Sequence, residues 1–267
     1  MTSETINSRQ NPLARRARGV RDGREKESVF VEGVRLCEEA LRAPVVFEAV
    51  LYTRTLTEDE RGSALLERLR AVCQHTHVVS AEVLESVSDT KTPQGIVALA
   101  RRPRTGREVL EQALGVPLFV VMHRANNPSN AGAALRVAEA AGATGVIFTE
   151  GSTDPLSPKS LRGSMGSAFR LPLWTGPTLA EALEWCAARA IHTVATAADA
   201  PSLHTELDWT VPRAVLLGPE AGGLNVDELR AAGEAVRIPM RASVESLNLA
   251  TALAVLLYEA ARQRRFA

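Results

Sequence analysis

Leu118-Phe-Val-Val-Met122 runs through His123-Arg-Ala into Asn126-Asn-Pro-Ser-Asn-Ala-Gly-Ala-Ala-Leu-Arg136. Five consecutive apolar residues read as a fully buried strand, and the alanine-rich stretch from Ser129 to Ala141 reads as a helix, with a polar loop between them. Two later segments repeat the arrangement. Ala214 to Leu217 leads into Gly218-Pro-Glu-Ala-Gly-Gly-Leu224, and Ala235 to Arg237 leads into Ile238-Pro-Met-Arg-Ala-Ser-Val-Glu-Ser-Leu-Asn248. Further strands at Val146 to Phe148 and His192 to Ala195, with helices at Leu179 to Ala190 and Val226 to Ala232, complete an alternation that predicts a largely parallel sheet covered on both faces. The last helix is expected from Glu245 to Arg265. Ligands of open parallel sheets bind beyond the carboxyl ends of the strands, so three such loops predict one shared pocket.

Working back towards the start, helices are expected near Pro12 to Gly19, Arg35 to Leu41, Ala64 to Cys73 and Ala81 to Val87. Strands are expected at Val29 to Val31, Val45 to Tyr52, His77 to Val79 and Gly95 to Ala100, a smaller α/β unit. Arg101-Arg-Pro-Arg-Thr-Gly106 is basic, holds a proline and a glycine, and lacks apolar periodicity, so the boundary is drawn between residues 1–103 and 104–267. The chain has 267 residues, 45% of them apolar, enough for two cores. The opening residues hold no apolar core, and the longest late apolar stretch, Leu249 to Tyr258, is too short for a bilayer, so no membrane association is expected. Cys37, Cys73 and Cys186 are odd in number and far apart, which argues against a disulfide framework and for a reducing, cytoplasmic setting.

Formal charge is zero, 31 basic against 31 acidic residues, so no overall basic field announces nucleic acid. Charge is nonetheless uneven: Arg9, Arg15, Arg16, Arg18, Arg21, Arg24 and Lys26 cluster near the start, and Arg262, Arg264 and Arg265 near the end. A solvated helix face and a phosphate-contacting surface are both open readings of these clusters.

The loops themselves exclude common cofactors. A dinucleotide fold would follow its first strand with Gly-x-Gly-x-x-Gly, and a P-loop would end in Gly-Lys-Ser/Thr; neither is here. Instead Ser129 can cap the helix, and Asn130 offers both a donor and an acceptor. Arg136, six residues on, stands in an alanine-rich helix, where burial would be costly without an anion or carboxylate; a pair with Glu139 or a surface position are the plain alternatives. Glu220 sits among residues that let a backbone bend tightly and a ligand approach closely. Ser246 and Asn248 stand at the mouth of the last helix, where free N–H groups attract anions, although capping alone would account for both.

Together and in this order, the segments resemble the three motifs of the SpoU (TrmH-like) RNA ribose 2′-O-methyltransferases of the SPOUT superfamily. The first motif stands as Asn127-Pro-Ser-Asn-Ala-Gly-Ala-Ala-Leu-Arg136, the second as Leu216-Leu-Gly-Pro-Glu-Ala-Gly-Gly-Leu224, and the third as Ile238-Pro-Met with Glu245-Ser-Leu-Asn-Leu249. Ser164-Met-Gly-Ser-Ala-Phe-Arg-Leu-Pro172 resembles the stretch between the first two motifs. The resemblance spans roughly Pro117 to Tyr258. It implies an α/β fold whose C-terminal parallel-sheet domain ends in a deep trefoil knot. It also implies a homodimer, with S-adenosyl-L-methionine as cofactor and no metal. Residues 1–103, with Asn11-Pro and Phe30-Val-Glu-Gly33, resemble the L30e-like RNA substrate-binding domain that often precedes such a domain. The resemblance further implies Asn130, Arg136, Glu220, Ser246 and Asn248 as catalytic and substrate-positioning residues, and Leu217, Gly218, Ile238, Met240, Ser246 and Leu247 as holding the cofactor. The implied substrate is structured RNA, with ribosomal RNA ahead of transfer RNA; a catalytically silent RNA-binding member is the rival. His75 and His77 share a strand face but have no further ligand nearby, so no metal site is expected. Trp174, Trp185 and Trp209 are scattered and read as packing residues rather than base-stacking platforms.

Overall fold

A computed structural model of the chain describes residues 5–112, 114–241 and 243–265. Contacts divide it into two compact units, one of residues 1–103 with 156–170, the other of residues 104–155 with 171–267.

The first unit comprises α1 (Pro12–Arg21), β1 (Ser28–Glu32), α2 (Val34–Leu41), β2 (Phe47–Tyr52), α3 (Glu60–Val72), β3 (Thr76–Val78), α4 (Ala81–Val87) and β4 (Ile96–Arg101). Its sheet has the order β1-β4-β2-β3, with β4 antiparallel to both neighbours and β2 parallel to β3. Asn11 caps α1 through its side chain, and Pro12 at the first helical turn forfeits no hydrogen bond there. Ala14, Ala17 and Val20 turn one stripe of α1 onto Phe30, Leu51 and Leu99 of the sheet.

The second unit begins with α5 (Arg107–Leu110), β5 (Leu118–Met122), α6 (Pro128–Ala140) and β6 (Gly145–Phe148). The chain then forms α7 (Pro158–Ser164) and α8 (Ser167–Arg170), whose contacts belong to the first unit. There Arg162 reaches Asp89 at 2.6 Å and the buried carboxylate of Glu32 at 3.5 Å, while Arg170 reaches Glu39 at 2.9 Å. These two short helices carry no long apolar stripe and were not expected from periodicity. Returning to the second unit, the chain adds β7 (Leu173–Thr175), α9 (Leu179–Ala187), β8 (His192–Thr196), β9 (Ser202–Leu203), β10 (Arg213–Leu217), α10 (Val226–Ala231), β11 (Glu234–Arg237) and α11 (Leu249–Gln263).

The second sheet has seven strands in the order β7-β6-β5-β10-β8-β11-β9, and every pairing is parallel. From β5 the chain steps outward through β6 to β7, then crosses to the other side, and β10 later fills the place between β5 and β8. The strand order therefore reverses at β5 and β10, which opens a crevice beyond their carboxyl ends. Phe119, Val121, Trp185, Cys186 and Leu216 lie in the core on one face of the sheet. The small residues Ala131, Ala134 and Ala138 of α6 let it pack closely with α11, which buries Leu253, Leu256 and Leu257.

The last helix starts at Leu249, later than the expected Glu245. Asn248 Oδ1 accepts the N–H groups of Ala250 at 3.0 Å and Thr251 at 3.4 Å, so the cap stands at Asn248 and the preceding residues remain loop. At the other end Arg264 donates to the carbonyl oxygens of Trp209 and Val116 at 2.7 Å, Val211 at 2.8 Å and Pro117 at 3.0 Å. Burial pushes its guanidinium pKa below the usual value, an opposing cost that these four acceptors offset. Arg264→Ala leaves them without their charged donor and should destabilise the fold by about 2–3 kcal/mol. A lower urea midpoint at an unchanged slope is the expected readout.

Candidate active site

Three loops leave the carboxyl ends of β5, β10 and β11, and side-chain hydrogen bonds tie them together. Asn130 Nδ2 donates to Glu220 Oε1 at 2.6 Å, and Asn248 Nδ2 donates to Asn130 Oδ1 at 3.1 Å. Asn130 therefore uses its donor on the second loop and its acceptor on the third. Because Asn248 Oδ1 is committed to the start of α11, the polarised chain runs from a helix N-terminus through two amides to a carboxylate. The first loop is itself held by Asn127, whose side chain accepts Ser129 N–H at 2.9 Å; the cap is Asn127 rather than the expected Ser129, because α6 already begins at Pro128.

Beside this chain lies a cleft of about 890 Å³, bordered by Leu217, Gly218, Glu220, Ser246, Leu247 and Asn248. It shares Thr196, Ala197 and Ala198 with an adjoining pocket of about 140 Å³, walled by Val236, Ile238, Met240 and Leu256. All six residues expected to hold a cofactor thus border this continuous space. The second loop bends hard at Gly218: a β-carbon there would stand 2.7 Å from the Leu224 nitrogen and 2.8 Å from its Cγ. The apolar wall suits an adenine ring. Among the described residues the charged groups bordering the space are Asp199, Glu220 and Glu245, with no lysine or arginine. Those carboxylates fit a phosphate-free cofactor with a sulfonium and an ammonium, and they disfavour a nucleoside polyphosphate.

Arg136 departs from the buried reading. It is exposed on α6 and makes no hydrogen bond or ion pair among the described residues, since Leu135 and Ala138 take the inward face of that turn. Ser246 is likewise exposed, at the rim of the cleft.

Sequence reasoning missed a second tie between the first two loops. His123 is 3% exposed; its Nδ1 lies 3.0 Å from Thr149 Oγ1, and its Nε2 lies 3.1 Å from Glu228 Oε1. Glu228 also accepts Asn225 N–H at 2.9 Å, closing a capping box at the start of α10. Burial works to raise the Glu228 carboxyl, but the Asn225 N–H, His123 and Arg124 outweigh it, so its pKa lies below the usual value. The spacing Asn225-x-x-Glu228 was the available signal for the cap; nothing in the sequence linked it to His123. The alanines at 197 and 198 were equally silent, since apolar lining has no signature of its own. Among the described residues no group of three or more His, Cys, Asp or Glu could hold a metal, and His75 and His77 stack with ring centroids 6.5 Å apart.

The model of the SpoU rRNA methylase family matches residues 117–258, more than half of the chain. The chain belongs to the SpoU rRNA methylase family. Residues 16–98 match an MRM3-like substrate-binding domain. An uncharacterised tRNA/rRNA methyltransferase of Synechocystis is 35% identical over 97% of this chain and 94% of its own length. The 23S rRNA (guanosine-2′-O-)-methyltransferase RlmB of Shewanella oneidensis is 31% identical over 78% of this chain and 86% of its own. Among solved structures, the SpoU methyltransferase AviRb of Streptomyces viridochromogenes in complex with AdoMet superposes with a TM-score of 0.84 at 29% identity, covering 96% of this chain and all of AviRb. This SpoU-family chain is an RNA ribose 2′-O-methyltransferase that uses S-adenosylmethionine, and both expectations drawn from its motifs stand.

Proposed function

We propose that this enzyme methylates a ribose 2′-hydroxyl of ribosomal RNA, with Asn130, Arg136, Glu220, Ser246 and Asn248 as its catalytic and substrate-positioning residues. The observation that carries the reading is the Asn248–Asn130–Glu220 chain closing three loops over a cleft without basic residues. S-adenosylmethionine supplies an electrophilic methyl group when bound, and Leu217, Gly218, Ile238, Met240, Ser246 and Leu247 would hold it. The apolar wall excludes water from that side. Glu220, fixed through Oε1 by Asn130, orients neighbouring donors rather than acting as the base, and Ser246 offers a hydroxyl at the rim. Arg136 cannot serve as a base, because guanidinium stays protonated; its free donors suit an RNA phosphate or the charge developing on the 2′-oxygen.

Ribosomal RNA is favoured by the names of the curated relatives. A groove on the first unit, bordered by Arg15, Arg16, Arg18 and Arg24, adds a surface suited to phosphates. Arg16 is taken up by Glu25 and Glu48, whereas Arg15 is exposed and has no side-chain partner among the described residues. Residues 1–103 as substrate-binding domain, 104–267 as methyltransferase domain with its trefoil knot, a cytoplasmic homodimer and the absence of metal and membrane partners belong to the same reading.

Calorimetry should show binding of S-adenosylmethionine and none of NAD, and ribosomal RNA from cells lacking the gene should miss one 2′-O-methyl mark. A well-folded sample that binds no S-adenosylmethionine overturns the reading, and a mark found on transfer RNA overturns the choice of substrate. Arg136→Ala should lower transfer by about 100-fold, the scale of one lost donor to developing charge, with cofactor affinity nearly unchanged.

A further inference from the structure

Four described non-glycine residues hold a positive φ: Arg124, Met165, Ala190 and Arg265. Met165, Ala190 and Arg265 stand at or just past the ends of helices α7, α9 and α11, where a left-handed residue is ordinary. Arg124, at φ 48°, follows a strand instead. A buried scaffold enforces that conformation. His123 N–H donates to the Leu217 carbonyl at 2.9 Å, Arg124 N–H donates to Thr149 Oγ1 at 3.2 Å, and the His123 ring is clasped between Thr149 and Glu228. The Arg124 side chain is 57% exposed and passes beside Gly151, one residue on from His123, whose N–H is bonded to the cleft-lining residue Leu217. Its guanidinium lies 3.9 Å from Glu228, close enough to be steered by charge but beyond hydrogen-bond reach, and among the described residues it donates no side-chain hydrogen bond. Among the described residues the cleft is bordered by no lysine or arginine, and a non-glycine residue held at positive φ next to a candidate site is a reason to look for a functional role there.

We propose that Arg124 contacts an RNA phosphate beside the methylated nucleotide, a positioning contact separate from that of Arg136. The proposal rests on the reading of RNA as substrate. Glycine suits the left-handed backbone at position 124, so R124G removes the cation and relieves the strain at once. For R124G the KM for RNA should rise about fivefold to tenfold while kcat falls less than twofold. The slope of log KM against log salt should become shallower by about 0.7 to 0.9, the loss of one phosphate contact. Cofactor affinity should hold within twofold, the melting temperature should not fall, and R124K should restore most of the RNA affinity. An unchanged KM and salt slope in active R124G, or an R124K enzyme as impaired as R124G, would overturn the proposal. An inactive wild type would overturn the parent reading, and this one with it.

Discussion

Asn130→Ala should reduce methyl transfer by about a thousandfold while the protein stays folded and binds S-adenosylmethionine. The substitution removes both hydrogen bonds of the chain, leaving the Glu220 carboxylate without its 2.6 Å donor and the Asn248 amide without its 3.1 Å acceptor. Each loop then keeps its own anchor: the Asn127 cap, the tight turn at Gly218 and the Asn248 cap on α11. What is lost is their mutual register, and misplacement by about 1 Å at a reacting centre costs on the order of 100-fold. The Glu220 carboxylate and the Asn248 amide left unpaired add about a further tenfold. Single-turnover rates with saturating cofactor and RNA measure the effect directly. A loss below tenfold would remove Asn130 from the centre of the site.

Gly218→Ala should abolish measurable cofactor binding, weakening it by at least about 100-fold. The added methyl would meet the Leu224 nitrogen at 2.7 Å, Leu224 Cγ at 2.8 Å and the Gly223 carbonyl carbon at 2.9 Å, and two of these are backbone atoms that cannot swing aside. The turn must therefore open, moving Leu217 to Leu224 along one whole edge of the cleft. A weakening of that size corresponds to about 2.7 kcal/mol of lost binding free energy. Stability should fall far less than binding, because β10 ends at Leu217 and its pairings to β5 and β8 are already complete there. Calorimetric titration at several cofactor concentrations, beside a thermal melt, separates the two effects.

The parts of this fold legible from the sequence were those with one dominant local cause. Leu118 to Met122, five apolar residues closed by a polar loop, reads as a buried strand, and the same abrupt change from apolar to polar and glycine residues marks the loops after β10 and β11. The start of α11 was misjudged because its helical periodicity continues backwards into Glu245, while the capping geometry of Asn248 is invisible until the backbone is placed. Arg136 was read as costly to bury because its neighbours are alanines, yet alanine lines either face of a helix, and here the arginine faces out. The clasp of His123 by Glu228 joins residues over a hundred positions apart. No window of sequence contains both, and neither residue type is unusual by itself.

The late arrival of β10 has a consequence for how the protein is made. Its residues, Arg213–Leu217, occupy the centre of the second sheet, between strands that leave the ribosome earlier. Until they emerge, the apolar strand β5 presents a bare edge with unpaired amides, and β8 has neither of its sheet neighbours, both open to pairing with another nascent chain. Parallel closure across so long a stretch is intrinsically slow. Slower elongation before residue 213 should therefore raise the aggregated fraction, and the catalytic crevice is among the last features of the molecule to exist.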